Sequence, residues 1–218
     1  MLLDEASELR DVRVSDCGGD GVVLRARSSA SNVSAIGNRF RGLECGDRCA
    51  LSEVEATNNG AHGILVGSSV RVSKFVASWN SLDGLNGGEG VRISDGVAST
   101  NGQEGFSVGE GASIAGVAAR ENDRIGIRVG KGSDLASFSA SSNGIGGVEA
   151  LDGSLVRSGS LRDNGRLDAS AGAALYVQGG AGYRELVITS VYGGTSSTVV
   201  SSGGVNLGDN TCQGGPCP

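Results

Sequence analysis

The sequence predicts an all-β protein, a single-stranded right-handed parallel β-helix (a solenoid) of eight to nine coils on a 21-residue repeat. Three observations predict it. Gly21, Gly42, Gly63, Gly84, Gly105, Gly126 and Gly147 recur with a 21-residue period. Asn38, Asn59, Asn80, Asn101, Asn122, Asn143 and Asn164 keep the same period, and Cys17 takes the first place in that column. Apolar residues recur two apart in short runs, such as Ile64 and Val66 or Ile127 and Val129, which is the periodicity of strands with one face in and one out.

Residues 1–8 read as a partial N-terminal coil or a cap, and residues 9–182 as the coils themselves. Nothing is inserted or deleted in the columns between about residue 9 and residue 165. Each unit is expected to hold two or three strands of three to five residues separated by turns, and the glycine density excludes helix. A unit this short cannot bury its apolar face alone, so neighbours must stack. Stacking at about 4.8 Å per coil makes eight coils a rod of roughly 40 Å, and parallel crossovers are right-handed. Asn-Gly pairs at 59–60, 101–102, 143–144 and 164–165 ordinarily signal two-residue hairpins. Strict repetition overrules that signal, because a hairpin would break the parallel register, so these pairs must turn corners between sheets. After Asn164 about six extra residues in "GRLDASAGAALYV" precede the next strand signature at Leu175 and Val177, and this longer turn is expected to project. Residues 183–218 read as terminal partial coils closed by a clip between Cys212 and Cys217.

Composition agrees. Of 218 residues 39 are glycine, while 38% are hydrophobic, enough for a core between many tight turns. A net charge of −6 argues against a nucleic-acid partner, since phosphate binding needs clustered Lys and Arg. No apolar run approaches the roughly 18 residues of a membrane span. The opening "MLLDEASELR" does not have the form of a signal peptide. "MLLDEASELR" is also short for a cap, so the N-terminal end is expected to continue into further coils or to meet another copy. Cys45 and Cys49, like Cys212 and Cys217, frame short loops. Either pair fits half of a zinc site, but with one His in the chain and no CxxC spacing, small-loop disulfides fit better and favour an exported protein.

The columns have physical roles. A stacked Asn amide has two donors and an acceptor with which to bond the next coil and its own turn, so the Asn column is expected to be a structural ladder. The Gly column implies either φ > 0 or close approach of successive coils. Ala35, Ala56, Ala77, Ala98, Ala119 and Ala140 imply a narrow place inside the coil. Cys17, in an Asn slot, is expected to be a buried, unpaired thiol.

In a stacked coil a site should appear as a column. The one before the Gly reads Asp20, Arg41, His62, Asp83, Glu104, Ile125. His62, Asp83 and Glu104 fall on successive coils, and carboxylates that close raise one pKa or recruit a cation. They are the candidate catalytic residues, none of them assigned a role, and the only His lies among them. Asp83 and Glu104, with Glu89 and Glu110 in another turn column beside Lys131, are the candidate metal ligands. No cofactor is required, and calcium is the cation this acidity would suit. The competing reading is that all of these are solvated turn charges in an acidic protein. Arg71 stacks on Arg92, while Glu53, Lys74 and Asp95 alternate in sign, as a salt-bridged wall would. Trp79 is the single Trp, so aromatic platforms for sugar rings are scarce. "GGDG" and "GGEG" are calcium-roll fragments that do not recur every nine residues.

The 21-residue coil, the skeleton N-x-x-x-G-[I/V/L/F]-x-[V/A] and the inward Asn column resemble the repeats of pectate-lyase-like right-handed parallel β-helix proteins, over about residues 9 to 180. The end of the chain resembles those of exported bacterial β-helix proteins. The resemblance implies architecture more than activity, since the family holds polysaccharide lyases, glycoside hydrolases, mannuronan epimerases, phage tailspikes, adhesins and repeat domains of no known activity. Lyases of this fold hold calcium with several carboxylates and use an Arg base, and hydrolases use an Asp cluster. This chain shows no dense Asp set and lacks the epimerase "DPH" motif. The expectation is an exported, extracellular or periplasmic, non-catalytic scaffold or glycan-binding module, with a lyase or hydrolase of acidic polysaccharide, or its degenerate relative, as the alternative. The expected partners are a polysaccharide or cell-surface glycan, and a second copy end to end or side by side.

Overall fold

The computed structural model describes residues 1–165, 173–191, 199–213 and 215–217. Among them every regular element is a strand, and the strands stack into a solenoid of about nine turns. No helix of the described residues is long and apolar enough to cross a membrane.

One coil shows the plan. The long strand Arg71–Ser78 leads through the turn that carries Asn80 into the short strand Leu85–Gly87. A tight turn then starts the next long strand, Arg92–Ser99. The strands pair in the register of the sequence repeat, with Ile93 opposite Val72 and Ile114. Short strands build a ten-stranded parallel sheet; the long strands, with three two-residue strands near the C-terminus, build a 12-stranded one that is parallel except where Thr211–Cys212 pairs with Gly215–Pro216. In the full coils up to Asn164 each repeat therefore has two strands rather than two or three, one of eight to ten residues and one of three to five.

The long strand nevertheless bends. Its fourth residue is left-handed in coil after coil, as at Glu53 (φ 55°), Lys74 (51°) and Asp95 (54°). A second such corner follows the strand, at Asn58, Trp79 and Thr100, and a third lies in the tight turn, at Ser69, Gly90 and Gly111. Three left-handed residues per coil make the cross-section three-sided. Most of these positions are not glycine, although the conformation is costly for a residue with a Cβ. Continuous ladders on both sides hold the backbone there.

The Gly column departs from one of its two expectations. None of Gly21, Gly42, Gly63, Gly84, Gly105, Gly126 and Gly147 has positive φ. They are glycine for want of space: a Cβ on Gly63 would lie 2.5 Å from Asn80 Nδ2 and 2.8 Å from the Gly84 carbonyl oxygen.

Inward columns fill the bore with Leu, Ile, Val and Ala, buried almost without exception. Where a larger residue enters, its neighbour shrinks. Phe75 lies over Gly96, whose Cβ would sit 2.2 Å from the ring, and Phe138 over Gly159 in the same way. Phe75 also meets Phe106 edge-on at 5.9 Å.

Register resumes after the long turn, with Gly146 opposite Ala173 and Val148 opposite Leu175, six residues beyond the usual spacing. The turn itself, at 166–172, lies outside the described residues. Leu2–Leu3 pair with Val23 and Leu24, extending the short-strand sheet. Cys45–Cys49 and Cys212–Cys217 are disulfides. Cys17 is free but only half-buried, not buried as expected, because no coil described here stacks on its outer side.

Candidate functional site

The turn between long and short strands carries two parallel rows of polar side chains. In the first, each Asn amide nitrogen donates to the next Asn Oδ1 at 2.9–3.0 Å, from Asn38 through Asn143. From Asn59 onward the same amide also donates to an Ala carbonyl 24 residues back, as Asn80 does to Ala56 at 3.0 Å. Each Oδ1 accepts a second bond from the previous row's backbone N–H. All seven residues are buried, with amide donors and acceptor used from Asn59 to Asn143. The row is a structural ladder.

The second row is Asp20, Arg41, His62, Asp83 and Glu104, ending on buried Ile125. Here the bonds run the other way, a side chain accepting the backbone N–H of the next coil. Asp20 accepts from Arg41 N at 3.0 Å, His62 Nδ1 from Asp83 N at 3.3 Å, and Asp83 Oδ1 from Glu104 N at 3.0 Å. The stacking of His62, Asp83 and Glu104 read from the sequence is present. The exposure expected of turn charges is not: Asp83 and Glu104 side chains are 4% and 6% exposed, against 21% for His62.

His62 Nδ1 also lies 3.4 Å from Asp83 Oδ2. One nitrogen cannot serve both contacts. With the ring proton on Nε2, Nδ1 accepts from Asp83 N–H; in the imidazolium it would donate to the carboxylate instead. Burial pushes the Asp83 carboxyl up, but hydrogen bonds from His62, Asn86 and Glu104 outweigh it and hold Asp83 below its ordinary value. Asn86 donates to Asp83 Oδ2 at 2.7 Å. His62 contributes only when Nδ1 carries a proton, whereas Asn86 donates in either state. Glu104 is displaced upward, by burial first, then by its hydrogen bond with Asp83 and the Asp83 charge, against the pull of Arg124 at 3.5 Å. The two stacked carboxyls are therefore displaced in opposite senses, the arrangement from which acid–base pairs are built.

The other candidates lie elsewhere. Glu89 and Glu110 are exposed at the tips of successive tight turns, across the short strand from Asp83 and Glu104. The four proposed metal ligands thus form two pairs on opposite banks of the short-strand face. Among the described residues no three His, Cys, Asp or Glu side chains gather as a metal centre would need. Lys131, next in the tight-turn column, lies 3.9 Å from Asp152. With Ser107, Glu110 and Arg128 it borders an open depression of about 360 Å³, floored by the backbone of Gly87, Gly109 and Gly130. Arg128 is held by Glu149 at 2.9 Å.

Asn86, Arg124 and Arg128 escaped the sequence reading. Asn86 and Arg128 occupy the outward middle position of the short strands, and Arg124 precedes the titratable column. Each falls in a column of mixed composition that reads as a solvated wall. Their one available signal is spacing, since Asn86 is three residues past Asp83.

No family model matches the chain, and no curated protein sequence matches it. Solved structures do. The A-module of the Azotobacter vinelandii mannuronan C-5 epimerase AlgE4 matches with a TM-score of 0.66 at 13% identity, over 98% of this chain and 85% of that one. The Dettilon tailspike protein gives 0.62 at 12% identity, over 96% of this chain and 60% of its own. A mutant of the periplasmic alginate epimerase AlgG gives 0.59 at 20% identity, over 92% and 50%. At these identities the likeness is one of fold: the chain is built like the right-handed parallel β-helix proteins.

Proposed function

We propose that this is an exported, non-catalytic β-helix domain that binds acidic polysaccharide along the outer face of its short-strand sheet. The observation that carries this reading is the contrast across that face. On one bank Asp83 and Glu104 are buried, and Asp20, His62 and Asp83 are engaged in coil-to-coil bonds. On the other the depression at Arg128 and Lys131 is open, with cations 44% and 58% exposed. The Lys131–Asp152 pair, more than half exposed at both ends, is individually weak, and a sugar carboxylate can take the place of Asp152 there, while Arg128, held by the largely covered Glu149, keeps its outer donors for the same ligand. Glycine in the tight turn leaves room for a chain to lie close to the backbone. Two of the structural neighbours are named for mannuronan or alginate, both acidic polysaccharides, and two disulfides fit an exporting route.

The test is affinity electrophoresis and calorimetry with alginate and pectate oligomers, with calcium and with chelator. Retardation in the gel that Arg128→Ala/Lys131→Ala weakens at least tenfold, at unchanged melting temperature, is the expected result. Equal retention of variant and parent would remove the depression from the account. Calcium is proposed only as a bridge between bound carboxylates and Glu110, so it should raise affinity without shifting the melting point of the free protein.

One observation favours a second reading, a lyase or hydrolase of acidic polysaccharide or its remnant. Glu104 and Asp83 are displaced in opposite senses with His62 stacked on them. Such an enzyme would yield unsaturated or reducing ends from pectate or alginate, and Glu104→Gln and His62→Ala would each abolish them. A lack of product with calcium present leaves the binding module.

A further inference from the structure

We propose that two copies of the chain pack side by side, with their rods antiparallel, through the face made by the second half of the long strands. Two outward columns define this face, one at the bend and one two residues past it. One reads Glu53, Lys74, Asp95; the other reads Glu55, Val76, Val97. Val76 is 44% exposed and Trp79, at the corner of the same coil, 64%. Beside Val76 lies a shallow depression of about 500 Å³, bordered by Glu53, Glu55, Lys74, Asp95 and Val97. The centre is apolar and the rim carries both signs of charge.

That pattern is self-complementary under one symmetry. A two-fold axis along the strand direction, passing between the coils of Lys74 and Asp95, exchanges coils and keeps columns. It sets Lys74 opposite Asp95 of the second copy, and Val76 opposite Val97, each contact made twice as an isologous interface requires. The flanking carboxylates meet only small residues, Glu53 facing Gly116 and Glu55 facing Ala118. Neighbouring registers fail. An axis through the coil of Lys74 sets lysine on lysine and Glu53 on Asp95. An axis through the coil of Asp95 sets that carboxylate on itself. An axis between the coils of Glu53 and Lys74 lays Glu55 on Val76. Like charges in apposition, or a carboxylate pressed on an apolar side chain, are what select a register.

Neither within-chain chemistry nor the adjoining face opposes this. Among the described residues Lys74 pairs with Glu53, at 3.5 Å and with both side chains more than half exposed, a pairing weak enough to exchange. Arg71 and Arg92, which this symmetry would oppose, precede the bend and are turned aside by the left-handed residues at Lys74 and Asp95. Eight coils at about 4.8 Å by four residues at about 3.3 Å give a contact of roughly 500 Å² per copy. The total of about 1,000 Å² lies at the lower edge of specific interfaces, so the dimer is weak and depends on concentration.

The experiment is sedimentation velocity of the full chain from about 1 μM to about 1 mM, the range in which weak complexes form. The parent should pass from monomer to dimer. Lys74→Asp opposes two carboxylates twice over, and Asp95→Lys two ammonium groups, so each should weaken self-association at least tenfold while melting as the parent does. Mixed in equal amounts, the two variants should form a heterodimer tighter than the parent homodimer. Arg71→Asp, on the adjoining face, should associate like the parent. A parent monomeric throughout, variants that dimerise as the parent does, or a mixture that yields no heterodimer would each overturn the proposal.

Discussion

Two rows of side chains run along the same turn, a few residues apart, and are bonded in opposite directions. In the Asn row a backbone N–H reaches forward to the side chain of the next coil, and the amides bond one another. In the titratable row a side chain reaches forward to the next backbone N–H, and the links between side chains differ at every step. The first needs one residue type, because only a group with both donor and acceptor can pass the pattern on. The second needs only an acceptor, which Asp and His each supply, and it is interrupted at Arg41, whose guanidinium has none. Uniform composition therefore marks the row that holds the rod together, and variable composition the row in which charge can be placed without breaking it.

The largest effect should come from interrupting the first row. Asn101→Ala takes the acceptor from Asn80 N–H and from its amide, and the donor from Asn122 Oδ1 and the Ala77 carbonyl. Several buried groups lose partners at about 1–3 kcal/mol each, so a loss of roughly 3–5 kcal/mol by urea denaturation is expected. In the second row Asp83→Ala orphans one backbone N–H, that of Glu104, and the Asn86 amide loses its carboxylate. The expected cost is about 2 kcal/mol. Asp83→Asn keeps the Oδ1 acceptor and should recover most of it. If Asp83→Ala proved as damaging as Asn101→Ala, the distinction between framework and placed charge would fail.

The same contrast explains what could be read in the sequence. The Asn and Gly columns were legible because each position admits one residue type, for hydrogen bonding in one and for space in the other. The left-handed corners were not, since Glu53, Lys74, Trp79 and Thr100 point outward and share no chemistry. Their common backbone conformation is enforced by the ladders on either side, a tertiary effect with no local signature. The stacking of His62, Asp83 and Glu104 followed from the period alone. Burial of the two carboxylates did not follow, because charged residues in a turn ordinarily stay in solvent. Asn86 and Arg124 became visible only when the turn brought them against that pair.

A smaller effect, opposite in sign, is expected at Glu104. Its folded pKa is raised, so the native state holds that proton more tightly than the unfolded chain, and stability falls as pH rises through the folded value. Asp83 is lowered, so its contribution is complete above its ordinary value of 3.8 and is lost as pH falls through the folded value. Stability arising from the pair is thus greatest between the ordinary Asp value of 3.8 and the ordinary Glu value of 4.5, declines from there through the raised Glu104 value, and is lower at neutral pH. Glu104→Gln removes the ionisation and keeps a donor toward Asp83. It should raise neutral-pH stability by about 1 kcal/mol, or roughly 2–4 °C in melting temperature, and flatten the decline above the acidic optimum. A variant melting below the parent at pH 7 would show that the charge of Glu104, through Arg124, outweighs its burial.

The smallest effect is expected where the second row reaches solvent. Arg41 bonds Asp20 at 3.0 Å and Glu44 at 2.6 Å, with about a third of its side chain exposed. What Asp20 does for the coil, however, is accept the backbone N–H of residue 41, and that bond survives any substitution there. Arg41→Gln removes only two partly exposed ion pairs, so the loss should stay under about 1 kcal/mol. Because screening weakens such pairs, parent and variant should converge further in 1 M salt, where the Debye length falls to about 3 Å. A salt-independent loss of about 2 kcal/mol, the scale of a buried group left without its partner, would mean that the guanidinium itself joins the coils, and that the second row carries framework bonds at its open end.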